Sequence, residues 1–193
     1  MLREGPGDHE QRLLLASVAA GDRKAFETLF RLYFRPLFAY VVKLIHDAGR
    51  AEEVVNDVML ELWRQAGGFQ GESKVSTWIF GIAHNKALNA VRLRRDEADL
   101  EAAESIANGK PHTLEQAAAR ELREKFAAAL RALPLDQREV VELALYHEFG
   151  YEEIARIVRC PLNTVKTRMF YARQKLHALL ADLAADFGLE QGR

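Results

Sequence analysis

Apolar positions along this chain recur at three- and four-residue steps almost throughout, while runs that alternate apolar and polar residues are short. That period predicts helices and no sheet, and the dominance of Ala, Leu, Glu and Arg agrees with it. A first helix is expected from about Glu10 to Ala20, stopped by Gly21, with residues 1–9 polar and loose. Asp22 is placed to cap a second helix, in which Phe26, Leu29, Phe30, Tyr33 and Phe34 form a dense aromatic face. Pro36 should end or kink that helix, although the apolar rhythm resumes through Leu37, Tyr40, Val41 and Leu44. Aromatics at this spacing read as core.

A third helix over 51–64 is two-sided. Val54, Val55, Val58, Leu62 and Trp63 supply an apolar side; Glu52, Glu53, Asn56, Asp57 and Glu61 supply an acidic one, which by pattern alone is an ordinary solvated face. The glycine-rich stretch 67–74 reads as a loop. Ser76 is the expected cap of a helix over 76–95, with Trp78, Ile79, Ile82, Ala83 and Ala90 on its apolar side. Its C-terminal half carries Lys86, Arg92, Arg94 and Arg95, with Asn85 and Asn89 one turn apart beside them. Such charge also complements a helix dipole, so alone it decides little.

Residues 96–112 change character: acidic, poor in large apolar side chains and broken by Gly109 and Pro111. They mark a linker, either a flexible tether or a weak helix followed by a loop, between one domain over 10–95 and a second over 113–187. In the second, a helix from Thr113 to Leu133 should bury Leu122, Phe126, Leu130 and Leu133. Another over 135–148 should pack Val140, Val141, Leu143, Ala144 and Leu145 behind the second helix of the pair that follows.

The stretch Tyr151 to Leu176 reads as that pair, two helices and a tight turn. Ile154, Ala155 and Val158 make the apolar face of the first, Pro161 stops it, and Asn163 is the expected cap of the second. Val165, Met169, Ala172 and Leu176 then step by four, three and four, which is one narrow buried stripe. The face left outward holds Lys166, Thr167, Phe170, Tyr171 and Gln174. A helix-turn-helix with a polar, basic and aromatic outer face is the shape that enters a major groove.

Charge sharpens this. The whole chain has 27 Lys+Arg against 28 Asp+Glu, yet Ile154 to Ala181 holds six basic residues and no acid. A local basic patch suits phosphate neutralisation, although a helical hairpin with a basic solvated face remains the plain alternative. With 49% hydrophobic and 28% charged residues the chain should fold. One cysteine, Cys160, excludes an internal disulfide, and the six histidines show no metal-ligand spacing, so no metal and no cofactor are expected. There is no phosphate loop, HExxH or nucleophile elbow, and the chain is not expected to be an enzyme. Nor is there an apolar run long enough for a membrane span or a signal peptide; a cytoplasmic protein is expected.

The stretches YEEIA, TVKTR and the Ala172-Arg173 pair resemble region 4.2 of bacterial sigma factors of the extracytoplasmic-function group, and LPLDQREVVELAL resembles region 4.1. AEEVVNDVMLELW resembles region 2.2, and STWIFGIAHNKALNAVR resembles regions 2.3 and 2.4. Asn163 stands where that family usually has Gly, Asn56 where it often has Gln, and Phe149-Gly150 replaces a small residue followed by Ser or Thr.

The resemblance implies an all-α protein of two small helical domains joined by an acidic linker. It implies binding to core RNA polymerase, at the clamp helices of the largest subunit and the flap of the second-largest, and recognition of promoter DNA. An anti-sigma factor is the implied regulator, and an acidic linker could mimic nucleic acid in a basic polymerase channel. Glu52, Glu53, Asn56, Asp57, Glu61 and Trp63 are the implied polymerase contacts. Phe69, Ser73, Lys74, Trp78, Asn85, Lys86, Asn89 and Arg92 are the implied −10 residues, where the family holds an unpaired strand. For the −35 duplex they are Arg159, Thr164, Lys166, Thr167, Arg168, Phe170, Tyr171 and Arg173. Arg168 and Arg173, nearer the edge of the buried stripe, suit phosphates or neighbouring helices. Two other classes stay open: a helix-turn-helix regulator that works without polymerase, and a sigma mimic that captures an anti-sigma factor.

Overall fold

The computed structural model describes residues 6–98 and 124–186, with side chains placed as far as Leu93 and Ala181 in the helices that run to those limits. Among the described residues all regular structure is helical. It comprises α1 (Asp8–Ala19), α2 (Arg23–Ile45), α3 (Ala48–Gln65), α4 (Val75–Ala98), α5 (seen over 124–131), α6 (Leu135–Leu145), α7 (Tyr151–Ile157) and α8 (Leu162–Asp186). A 3-10 turn, Ala66–Gly68, comes directly after α3.

Several ends form as the residues dictate. Gly21 takes φ +88°, a conformation open to glycine, just past α1. Asp22 Oδ1 then accepts from the N–H groups of Lys24 (2.8 Å) and Ala25 (3.3 Å), and Asp47 does the same for Arg50 at 3.0 Å.

Other ends differ from the pattern. Helix α2 runs through Pro36 to Ile45, because Leu29, Tyr33, Leu37, Tyr40, Val41 and Leu44 are buried along one face and packing carries the helix past one lost hydrogen bond. The N-terminal segment is ordered from Asp8, earlier than expected. Ser76 is not a cap: α4 begins at Val75, whose N–H is taken by Asp8 Oδ1 at 2.9 Å, so the cap comes from another helix. Asn163 is not a cap either. Helix α8 starts at Leu162, and the Thr164 and Val165 N–H groups reach the Pro161 carbonyl at 2.9 and 3.2 Å. Helix α6 stops at Leu145, three residues short of expectation, since Glu148 turns to φ +57° and Phe149 N–H bonds back to the Leu143 carbonyl. Leu145 is consequently 60% exposed and not packed behind α8. Helix α4 extends over the first residues of the expected linker; 99–112, and with them Leu122 and the start of the helix from Thr113, lie outside the described residues.

Helices α1–α4 bury Leu15, Leu29, Leu37, Val55, Met59, Leu62 and Ile79 among themselves, and α6–α8 bury Val140, Leu143, Ile154, Ile157, Val165 and Met169. The two groups also pack on each other. Phe80 lies 4.8 Å from His147 and 4.9 Å from Phe149 between ring centroids, with Tyr40 against His147 at 5.8 Å. Beside these rings runs a polar layer. Glu139 accepts the Tyr40 hydroxyl and meets His84 Nδ1 at 2.5 Å; Lys43 Nζ meets Glu142 at 2.5 Å; Arg138 meets His46 Nε2 at 2.9 Å. Glu139 and Glu142 are only 3% and 2% exposed. Charges removed from water this far gain little net stability, but their bonds permit one arrangement of the two groups and penalise others.

Candidate nucleic-acid interface

The turn between α7 and α8 is tight: Arg159 adopts φ +50° and Cys160 N–H bonds to the Ala155 carbonyl. From there the stripe Val165, Met169, Ala172 and Leu176 is buried as its spacing requires, and Lys166, Thr167, Phe170, Tyr171 and Gln174 are all exposed. Phe170 and Tyr171 are 58% and 52% exposed, with their rings in an edge-on pair at 5.5 Å. Large aromatics on a solvent face lack a packing reason, whereas base edges and thymine methyls would supply one. The Thr167 hydroxyl donates to the Asn163 carbonyl at 2.9 Å and keeps its oxygen free to accept. Arg168 and Arg173 are spent on neighbours. Arg168 Nε pairs with Asp136 at 3.1 Å, and Arg173 donates to the Tyr151 hydroxyl at 3.2 Å, so both tie α8 to its scaffold. Arg159 is exposed at the turn, and Thr164 is half-buried.

The loop between α3 and α4 is braced from two sides. From α1, Arg12 donates to the carbonyls of Gly71 (3.1 Å) and Ser73 (2.6 Å) and lies 5.5 Å over the Phe69 ring, which packs on Trp78 at 5.3 Å. From α7, Glu153 pairs with Lys74 Nζ at 3.0 Å and accepts from the Thr77 hydroxyl at 3.3 Å, while Arg156 donates to the Glu72 carbonyl at 2.7 Å. Burial pushes the Glu153 carboxyl up, but the bonds from Gly150 N–H, Lys74 and Thr77 and the Lys74 charge outweigh it and hold the group below its ordinary value. Along α4, Asn85 spends an amide N–H on the Gly81 carbonyl at 2.8 Å, leaving its oxygen; Lys86 is 3.7 Å from Glu61; Asn89 and Arg92 are exposed. The side chains of Arg94 and Arg95 fall outside the described residues. Phe69, Ser73, Lys74 and Trp78 are thus brought together at one end of α4, with Asn85, Lys86, Asn89 and Arg92 along its length.

On α3 the acidic side is open. Glu52, Glu53, Asn56 and Asp57 are exposed, Glu61 is turned toward Lys86, and Trp63 is half-buried against Phe26 at 5.3 Å. Trp63 is therefore largely a packing residue.

Two blocks of the chain match known families in the same order. Residues 29–97 match sigma-70 region 2, and residues 123–176 match sigma-70 region 4. The chain is 38% identical over 153 residues to the ECF RNA polymerase sigma factor EcfG of Rhodopseudomonas palustris, covering 79% of this chain and 83% of the relative. The chain belongs to the extracytoplasmic-function group of the sigma-70 family. This sigma factor is also similar to the RNA polymerase sigma-H factor of Pseudomonas aeruginosa, 30% identical over 184 residues, with 90% of this chain and 95% of the relative covered. Among solved structures it resembles the sigma factor RpoE of Bartonella quintana in complex with the anti-sigma factor NepR. That match has TM-score 0.67 and 29% identity, and covers 82% of this chain and 98% of that one. It also resembles CnrH in complex with the cytosolic domain of CnrY, at TM-score 0.67 and 25% identity, over 89% and 97%.

Asp8, Arg12, Glu153 and Arg156 border the loop but carried no clear signal in the sequence. The i,i+4 spacing of Asp8 and Arg12 marks a pair on one helix face, yet says nothing of a loop some sixty residues on. No described helix is long and apolar enough to cross a membrane.

Proposed function

We propose that this sigma factor binds core RNA polymerase through the exposed acid face of α3 and directs it to promoters, with residues 113–187 on the −35 duplex and residues 10–95 on the −10 element. The observation that carries the reading is the outer face of α8. Lys166, Thr167, Phe170 and Tyr171 are exposed while the stripe behind them is buried, which leaves four side chains of DNA-reading chemistry on one helix edge. At the other end, Phe69, Trp78 and the α4 amides offer stacking surfaces and base-edge acceptors for a single strand.

The packed arrangement fits a resting state. Lys74 and Thr77 are held by Glu153 and the Glu72 carbonyl by Arg156, so strand capture at the loop requires α7 to move off it. An anti-sigma factor that favours this closed form, as partners are bound in the two similar solved structures, would keep the protein silent. A mobility-shift titration with promoter DNA, with and without core polymerase, tests the reading. Stable sequence-specific binding only with polymerase is expected; equally tight binding without it would favour a plain helix-turn-helix regulator.

A further inference from the structure

The loop 69–74 lies outside the helices, and fixing such a segment in one shape costs conformational freedom, most at Gly71. Within the first four helices, it is a single turn of α1 that holds the loop. The Arg12 guanidinium spans two carbonyls, Gly71 and Ser73, with separate N–H groups at 3.1 and 2.6 Å, a rigid planar fork that lysine does not reproduce. The same group lies over the Phe69 ring. Asp8, one turn back, holds Arg12 Nε at 2.7 Å with one oxygen and the Val75 N–H at 2.9 Å with the other. The loop is therefore pinned at 71, at 73 and at the first residue of α4. Residue 71 has to be glycine for this: its φ is +75°, and a Cβ there would come within 2.8 Å of Arg12 Nη1.

We infer that Arg12, oriented by Asp8, is a positioning residue for −10 strand capture, fixing the loop backbone that presents Phe69, Ser73 and Lys74. The inference rests on the −10 reading of that loop. These bonds lie within the first four helices, so unlike those from Glu153 and Arg156 they persist when α7 departs. A loop already ordered loses less freedom when a base docks, and that saving favours the open complex. Asp8 is suited to the work: burial pushes its carboxyl up, but the bonds from Arg12 and Val75, with the charges of Arg12 and Lys74, outweigh it and keep the group ionised below its ordinary value.

The test uses holoenzyme assembled from core polymerase and the full chain, on a promoter fragment that supports run-off transcription, with permanganate reactivity of −10 thymines as readout. Arg12→Ala should lower open-complex formation by about tenfold or more, with affinity for core and for −35 duplex within about twofold of wild type. Arg12→Lys should fall between. Gly71→Ala keeps Arg12 but displaces its guanidinium, and should reproduce the defect even if Arg12→Ala folds poorly. Normal opening by Arg12→Ala and Gly71→Ala, with Lys74→Ala defective, would overturn the inference and leave the loop's role standing. An equal loss of core affinity and opening in Arg12→Ala would also overturn it, since the role would then be general folding. Normal opening by Lys74→Ala and Trp78→Ala alike would remove the −10 reading and the inference with it.

Discussion

Glu139 of α6 reaches across to His84 of α4, carboxylate oxygen to Nδ1 at 2.5 Å, with the side chains only 4% and 7% exposed. The same oxygen accepts the hydroxyl of Tyr40 from α2, which is wholly buried. One carboxylate thus joins three helices across the seam between the two halves. Its removal leaves two buried polar groups without a partner. Glu139→Ala should cost about 3 kcal/mol in denaturant unfolding, and a double-mutant cycle with His84→Ala should give a coupling of about 1–3 kcal/mol. Additive single effects would mean that the two residues act separately.

His147 supplies a pH dependence. Burial, with the Lys43 charge adding to it, pushes its imidazole down from 6.5 to about 4. The folded form therefore holds the neutral ring, and the unfolded chain binds the proton first. The stability this contributes is fully present above pH 6.5 and is lost as pH falls through that range to about 4, up to about 3 kcal/mol. Glu142 works the other way: burial raises its carboxyl despite Lys43 and Arg138, so its protonation as pH falls favours the fold. Urea midpoints taken from pH 7 to 4 should decline in wild type and flatten in His147→Phe. An unchanged slope in that variant would assign the acid sensitivity to another group.

The two faces of α8 should separate cleanly. Met169 is 4% exposed and Phe170 is 58% exposed, though adjacent. Met169→Ala should destabilise by about 2–4 kcal/mol through the cavity it leaves, whereas Phe170→Ala should stay within about 0.5 kcal/mol of wild type. In holoenzyme binding to −35 duplex, Phe170→Ala should nevertheless lose about 1–3 kcal/mol. Melting curves and duplex titrations on the same pair of variants check both halves.

The acid face of α3 should matter to polymerase and not to folding. Glu53 and Asp57 are exposed one turn apart, so Glu53→Lys with Asp57→Lys should leave the melting temperature nearly unchanged. Affinity for core polymerase should fall by about tenfold or more, most at low salt. Unchanged affinity would move the docking surface elsewhere.

How much of this was legible in the sequence depended on whether a signal is local. The Val165–Leu176 stripe comes from helical periodicity, and the structure buries it as expected; of the aromatic face of α2, Tyr33 is buried while Phe26, Phe30 and Phe34 lie only partly buried against the core. The outer face of α8 came from the same arithmetic. Caps were less legible: Ser76 and Asn163 have capping chemistry, but the tertiary partner Asp8 of α1 takes the Val75 N–H, and α8 starts at Leu162, ahead of Asn163, with the Pro161 carbonyl opening its bonding. Arg168, at the edge of the buried stripe, suits phosphates or neighbouring helices, and which neighbour it meets, Asp136 at 3.1 Å, no local pattern shows. The seam built on Glu139, and the Arg12 bonds to Gly71 and Ser73, join residues from 55 to 99 positions apart, and no periodicity encodes such pairs.

The most direct measurement is run-off transcription from a pool of promoter fragments by core polymerase with and without this protein. Start sites that appear only on its addition, and disappear with Lys166→Ala while core binding is retained, are the expected result. Failure to bind core polymerase, with no new start sites from any fragment, would contradict promoter selection by this chain.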